Sequence, residues 1–161
     1  MHNSSLHTMG NLAKRHVFSG TLLDVGSYHV ETDTVGTYRD VLPPTVIYTG
    51  LDMRAGPNVD IVAEPYRFDI PDGSYDVVIS GQCFEHVEYP WMLIAEMARV
   101  CVPGGLVVVI APYKWRVHKY PLDCWRFLPD GMTALFKWAK LQVLECETLG
   151  TDTHGVARKE G

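Results

Sequence analysis

The sequence has few cysteines and none at metal-ribbon spacing. Cys83, Cys101, Cys124 and Cys146 are scattered, and Cys83, Cys101 and Cys146 sit in or beside apolar stretches. This pattern argues against a CxxC redox or zinc motif and against a disulfide framework. It reads as reduced thiols in a cytoplasmic protein, with no metal site expected. No apolar run approaches the roughly 20 residues of a membrane span, so no membrane partner is expected. Met1 to Ser5 lack the charged-then-apolar form of a signal peptide. Positive charge is also scarce. Lys and Arg number 14 against 19 Asp and Glu, a net charge of -5, which argues against generic nucleic-acid binding. No G-x-G-x-x-G follows the first apolar run, which counts against a nicotinamide-dependent oxidoreductase. No G-x-S-x-G elbow is present either, which counts against a serine hydrolase.

What is present is organised around residues 71–109. Pro71-Asp72-Gly73-Ser74 has turn chemistry. Tyr75 to Ser80 is a short apolar run rich in β-branched residues, which predicts a buried strand. From Pro90 to Cys101 the period becomes helical. Leu93, Met97 and Val100 share a face with Ile94, Ala98 and Cys101 beside them, and Glu96 and Arg99 lie opposite. Pro90 suits the first helical turn, and Pro103-Gly104-Gly105 predicts the stop. Leu106 to Ala111 is a second buried strand. Strand, helix and strand at this spacing form a right-handed parallel βαβ unit.

The block Asp72-Gly73-Ser74-Tyr75-Asp76-Val77-Val78-Ile79-Ser80, the triplet Glu85-His86-Val87, and Glu96-x-x-Arg99-Val100-x-x-Pro103-Gly104-Gly105 together resemble the class I S-adenosylmethionine-dependent methyltransferases. Within these, the chain is most similar to the branch called methyltransferase type 11, from about Leu22 to Leu149. The resemblance implies an α/β fold, a Rossmann-like three-layer sandwich whose mainly parallel sheet ends in an antiparallel edge hairpin. It also implies S-adenosyl-L-methionine as cofactor and methyl transfer as the reaction.

Around this block the chain reads as a single domain over 1–161, with an amino-terminal tail and helix over 1–17. Within that segment the helix is predicted over Leu6 to Val17. Thr21 to Ser27 is the first core strand and its exit, and Leu22-Leu23-Asp24-Val25-Gly26-Ser27 resembles the opening of the family's glycine-rich motif. A glycine belongs there because backbone must approach a ligand without a Cβ in the way. The further glycines do not follow at once. Tyr28 to Val35 intervene before Gly36, and Gly36 to Arg39 open a short helix. Thr45 to Leu51 is the second strand, with Asp52 at its end. Val59 to Ala63 is the third, followed by Glu64, and Pro65 to Asp72 is a loop with no helix. By resemblance, Asp24, Gly26, Ser27, Asp52, Met53, Glu64, Gly81 and Gln82 bind the cofactor. Asp52 takes the ribose hydroxyls, and Glu64 takes the adenine amino group, a role for which Asp60 is the alternative. The recurrence of Glu85-His86 across relatives with unrelated substrates points to a supporting role for the pair.

The loop over 112–129 is the distinctive part. It carries Tyr113, Trp115, Tyr120 and Trp125 among Lys114, Arg116, Lys119 and Arg126, in an acidic protein. It follows the fifth strand, so it covers the strand ends where open α/β sheets bind ligands. Aromatics interleaved with cations suit a small-molecule acceptor that is anionic or sugar-like. His118 and Asp123 are the candidate catalytic residues, as groups able to take or orient a proton. The alternative for Asp123 is a pair with Arg126 that pins the loop. Pro129 to Trp138 is a last helix, Leu141 to Leu149 a strand, and Thr151 to Arg158 its returning partner. A homodimer is compatible with the absence of an added substrate domain. The competing function is a catalytically inactive methyltransferase-like binding subunit, which the interrupted glycine motif would suit.

Overall fold

The computed structural model describes residues 3–30 and 36–161. Among these, seven strands form one sheet: β1 (Gly20–Val25), β2 (Val46–Asp52), β3 (Ile61–Val62), β4 (Tyr75–Gly81), β5 (Cys101–Pro112), β6 (Leu141–Leu149) and β7 (Asp152–Lys159). Their spatial order is β3-β2-β1-β4-β5-β7-β6. The first five are parallel, and β7 runs antiparallel to both β5 and β6. The expected Rossmann-like architecture with an antiparallel edge hairpin is present. The helices are α1 (Asn3–Arg15), α2 (Tyr38–Val41), α3 (Pro90–Val100) and α4 (Pro129–Trp138), with a 3₁₀ turn at Phe84–His86. None is long and apolar enough to cross a membrane.

The sheet separates two apolar layers, as an alternating strand must when both faces are covered. On one side Leu6, Met9, Leu12 and Ala13 of α1 and Tyr38 of α2 meet Leu22, Val77, Ile79, Val108 and Ile110. On the other, Leu93, Ile94 and Met97 of α3 and Met132 and Phe136 of α4 meet Leu23, Val78, Val107 and Val109. Helices that each present one apolar stripe are held mainly by this packing.

Several boundaries differ from the sequence expectation, each for a local reason. α1 ends at Arg15 rather than Val17, because Val17 adopts a positive φ and Phe18 N–H turns back to the Ala13 carbonyl. β3 has two residues instead of five. Asp60 is drawn to β2, where its N–H donates to the Gly50 carbonyl and its carboxylate accepts from the Gly50 N–H. β5 begins at Cys101, not Leu106. Cys101 pairs with Tyr75, and Pro103-Gly104-Gly105 is an excursion that rejoins at Val77↔Leu106 instead of lying outside the strand. The described residues between β3 and β4 hold no helix, as expected. Glu31 to Val35, within the interrupted glycine segment, and Met1 and His2, in the predicted tail, lie outside the described residues.

Candidate active site

The strand order reverses between β1 and β4, and a doubly wound sheet opens a crevice at such a point, outside the carboxyl ends of its strands. The sheet brings Gly26, Asp52 and Gly81-Gln82 to that edge. Gly26 has a φ of 82° and donates its N–H to the Leu51 carbonyl. A side chain there would collide with Cys83, the residue just beyond β4, so glycine is required by both dihedral and space. Ser27 is buried, and its hydroxyl donates to the Asn58 carbonyl. Asp52 accepts the Tyr28 N–H at 3.1 Å and the Arg54 N–H at 3.3 Å. A carboxylate has about four lone-pair sites, so these bonds leave capacity for hydroxyls. Gln82 takes a φ of 57°, and its buried side-chain amide nitrogen finds no hydrogen-bond partner among the described residues.

Asp24 lies beneath this edge. Its side chain accepts the Tyr48 hydroxyl at 2.6 Å, and Tyr48 in turn accepts from the Asn58 amide at 2.8 Å. Burial pushes the Asp24 carboxyl up to about 7, against the lowering effect of the Tyr48 bond. Tyr38 is wholly buried against Gly81, whose missing side chain makes room for the phenol, and it shares a hydrogen bond with Ser5. Met53 is exposed, and Glu64 lies beyond β3 at the rim of an open cleft of about 750 Å³ shared with Arg67, Phe68, Glu96 and Arg99. Asp60 pairs with Arg39 at 2.6 Å as well as with β2.

The second half of the edge lies beyond β4 and β5. Phe84 is buried and meets Phe127 edge to face, which anchors the 3₁₀ turn and leaves Glu85 and His86 beside the loop over 113–128. That loop is ordered by backbone bonds: Cys124 and Trp125 N–H groups donate to the Glu85 carbonyl, and Phe127 N–H to Pro112. The Trp125 indole donates to Val87 at 2.8 Å. Asp123 accepts two guanidinium bonds from Arg126 and the His118 N–H at 2.7 Å. Arg126 holds its carboxyl well below the usual range, which makes it a poor proton acceptor near neutrality.

His118 stands over the 3₁₀ turn. Its ring lies 4.8 Å from that of His86, edge to face, and Tyr120 packs against both. Glu85 is fully buried, and neither carboxylate oxygen has a hydrogen-bond partner among the described residues. Burial pushes it up to about 8 and shifts His86 down. Sequence reasoning placed His118 in the site but missed its convergence with Glu85 and His86. The adjacent acid and histidine were the available signal. Nothing in the pattern gave the loop path that brings His118 back over them. Trp115, Arg116, Lys114 and Lys119 stay exposed around this group.

Residues 44–109 match the family model described as a methyltransferase domain. An uncharacterised methyltransferase of Mycolicibacterium gilvum is 34% identical over 93 residues, which cover 57% of this chain and 33% of that protein. The chain thus spans a third or less of the curated relatives it matches. Among solved structures, the 1,6-didemethyltoxoflavin-N1-methyltransferase of Burkholderia thailandensis, with its acceptor and S-adenosylhomocysteine bound, superposes with a TM-score of 0.78. That alignment covers 98% of this chain and 79% of that one at 11% identity. The [4+2]-cyclase SpnF superposes at 0.76, with 16% identity over 96% of this chain and 80% of its own. Identities this low speak for the fold alone, and the cyclase shows that the fold does not fix the reaction. The chain is thus similar to methyltransferase domains in sequence over residues 44–109, and it shares its fold with S-adenosylmethionine-dependent methyltransferases over most of its length.

Proposed function

We propose that this protein binds S-adenosylmethionine at the β1–β4 crevice and transfers its methyl group to a small-molecule acceptor held under the 113–128 loop. One observation carries the proposal. Gly26, Asp52 and Gln82 meet at the switch point, where Gln82 offers a buried amide nitrogen with no partner among the described residues. Asp52 is suited to the ribose hydroxyls, Gly26 and Ser27 to close backbone approach, and Gln82 to the polar end of the methionine moiety. Asp24 stiffens the crevice from beneath. Met53 and Glu64 have the weaker claim, since Met53 is exposed and Glu64 faces the flanking cleft.

Transfer from a sulfonium is an in-line displacement, so the enzyme's work is to orient two reactants and exclude water. His118 is the group suited to receive an acceptor proton. Asp123 orients His118 through its backbone and is itself fixed by Arg126. Lys114, Arg116 and Lys119, exposed around the mouth, favour an anionic or sugar-like acceptor. Four free cysteines suit a reducing compartment such as the cytoplasm. Calorimetry with S-adenosylhomocysteine, then an acceptor screen with labelled S-adenosylmethionine, tests the proposal. Absence of cofactor binding would end it.

A second reading, a methyltransferase-like subunit without turnover, is favoured by Tyr28. It stands two residues past Gly26, stacked under Arg54 at 4.0 Å. Cofactor binding with no transfer to any acceptor would select it.

A further inference from the structure

We infer that Glu85, His86 and His118 form a site for one divalent transition-metal ion at the mouth of the crevice. Their ligand atoms lie within 4.8 Å of one another. Glu85 Oε1 is 3.7 Å from His86 Nε2 and 3.9 Å from His118 Nε2, so it hydrogen-bonds neither. The three atoms converge without touching. Two ligands bonded at about 2.1 Å to one tetrahedral ion lie roughly 3.4 Å apart, so the group must draw together to close on an ion, the Glu85 pairs by the least.

The tautomers sharpen the case. His86 Nδ1 lies 2.6 Å from the Leu122 carbonyl, which can only accept, so Nδ1 carries a proton and in the neutral ring Nε2 presents a lone pair. His118 Nδ1 lies 3.2 Å from the Arg116 carbonyl and 3.6 Å from Asp123, two acceptors, so the same assignment holds for its Nε2. Two imidazole nitrogens and a buried carboxyl with no hydrogen-bond partner among the described residues then face one point. Lone pairs gathered this way repel unless a proton on Glu85 or a cation stands among them. The carbonyls play the outer-sphere part that fixes a ligating histidine's ring and tautomer. Loop and turn are tied together independently by the Cys124 and Trp125 bonds to the Glu85 carbonyl, so the set is preorganised.

Two histidines and one carboxylate suit Zn²⁺, Fe²⁺, Mn²⁺ or Co²⁺ and leave coordination positions open. His86 and His118 are partly exposed, so those positions face the mouth. They would accept water or an oxygen-bearing acceptor. That last step alone rests on the methyl-transfer reading.

Chelator-stripped protein titrated with Mn²⁺, Co²⁺ and Zn²⁺ by calorimetry should bind one ion per chain, and Co²⁺ should give visible absorption bands. His118→Ala and Glu85→Gln should each weaken binding about tenfold or more. His7→Ala, on the exposed face of α1, should leave it unchanged. Should Glu85→Gln not fold, His118→Ala carries the test, since its side chain is at the surface of the group. No saturable binding of any of the three ions, or binding that survives His118→Ala, would overturn the proposal. S-adenosylhomocysteine affinity, measured on the same stripped protein, reports separately on the cofactor reading.

Discussion

The two halves of the sheet's carboxyl edge are built by different means. Over β1 and β2, neutral hydrogen bonds and missing side chains do most of the shaping. Gly26 tucks against Cys83, Gly81 makes room for Tyr38, and Ser27, Asn58 and Tyr48 form a short chain down to Asp24. Over β4 and β5, charged and ionisable groups dominate: the Arg126–Asp123 pair, two histidines packed edge to face and a buried glutamate. The first half is a shaped groove whose polar capacity lies in backbone and Asp52. The second is an electrostatic construction resting on a long loop. A groove of this kind suits an invariant ligand approached closely, and a charged loop suits the variable one.

The comparison breaks most readily at Gly26. Gly26→Val forces a β-branched residue into a positive φ against Cys83. It should weaken S-adenosylhomocysteine binding by about 10²-fold, or ~3 kcal/mol, by calorimetry. An equal loss of metal binding would show that the halves are not independent.

Asp24 comes next. Its carboxyl is raised, so its contribution favours the folded state at low pH and is lost as pH rises from about 4 towards about 7. Asp24→Asn removes that dependence. Relative to the parent, the variant should gain on the order of 2 kcal/mol between pH 5 and pH 8 in urea denaturation. A constant difference across this range would mean that Asp24 stays ionised.

Asp52→Ala should reduce cofactor affinity by about 1–3 kcal/mol if the ribose hydroxyls bond there. An unchanged affinity would remove Asp52 from the site. The smallest effect belongs to the loop. Arg126→Ala frees Asp123 and loosens His118, and should lower kcat/KM for the acceptor about threefold, or under 1 kcal/mol, with cofactor affinity unchanged. If cofactor affinity falls instead, the loop supports the groove as well as the acceptor side.

The βαβ unit was legible in the sequence because local chemistry specifies it. Buried strands need β-branched runs, α3 needs its apolar stripe, and Pro90 starts that helix. Asp52 was readable for the same reason, as the last residue of a strand whose end is marked. β3 was overestimated because Asp60 is captured by Gly50 and Arg39, a contact no periodicity encodes. Glu85 and His86 were visible as an adjacent pair, but their surroundings were not.

By itself, then, the sequence determined the order of strands and helices, the two-sided core, and the glycine and acid at the ends of β1 and β2. Those features follow from short-range periodicity, turn chemistry and steric limits on the backbone. Only the tertiary structure decided that Asp123 belongs to Arg126, that Tyr38 fills the space beside Gly81, and that His118 returns across the chain to meet Glu85 and His86. Such meetings depend on the path of a loop without repeating pattern, and its course is set by distant anchors. These are Cys124 and Trp125 on Glu85, Phe127 on Pro112, and Thr153 on Phe127, none of which leaves a mark in local sequence.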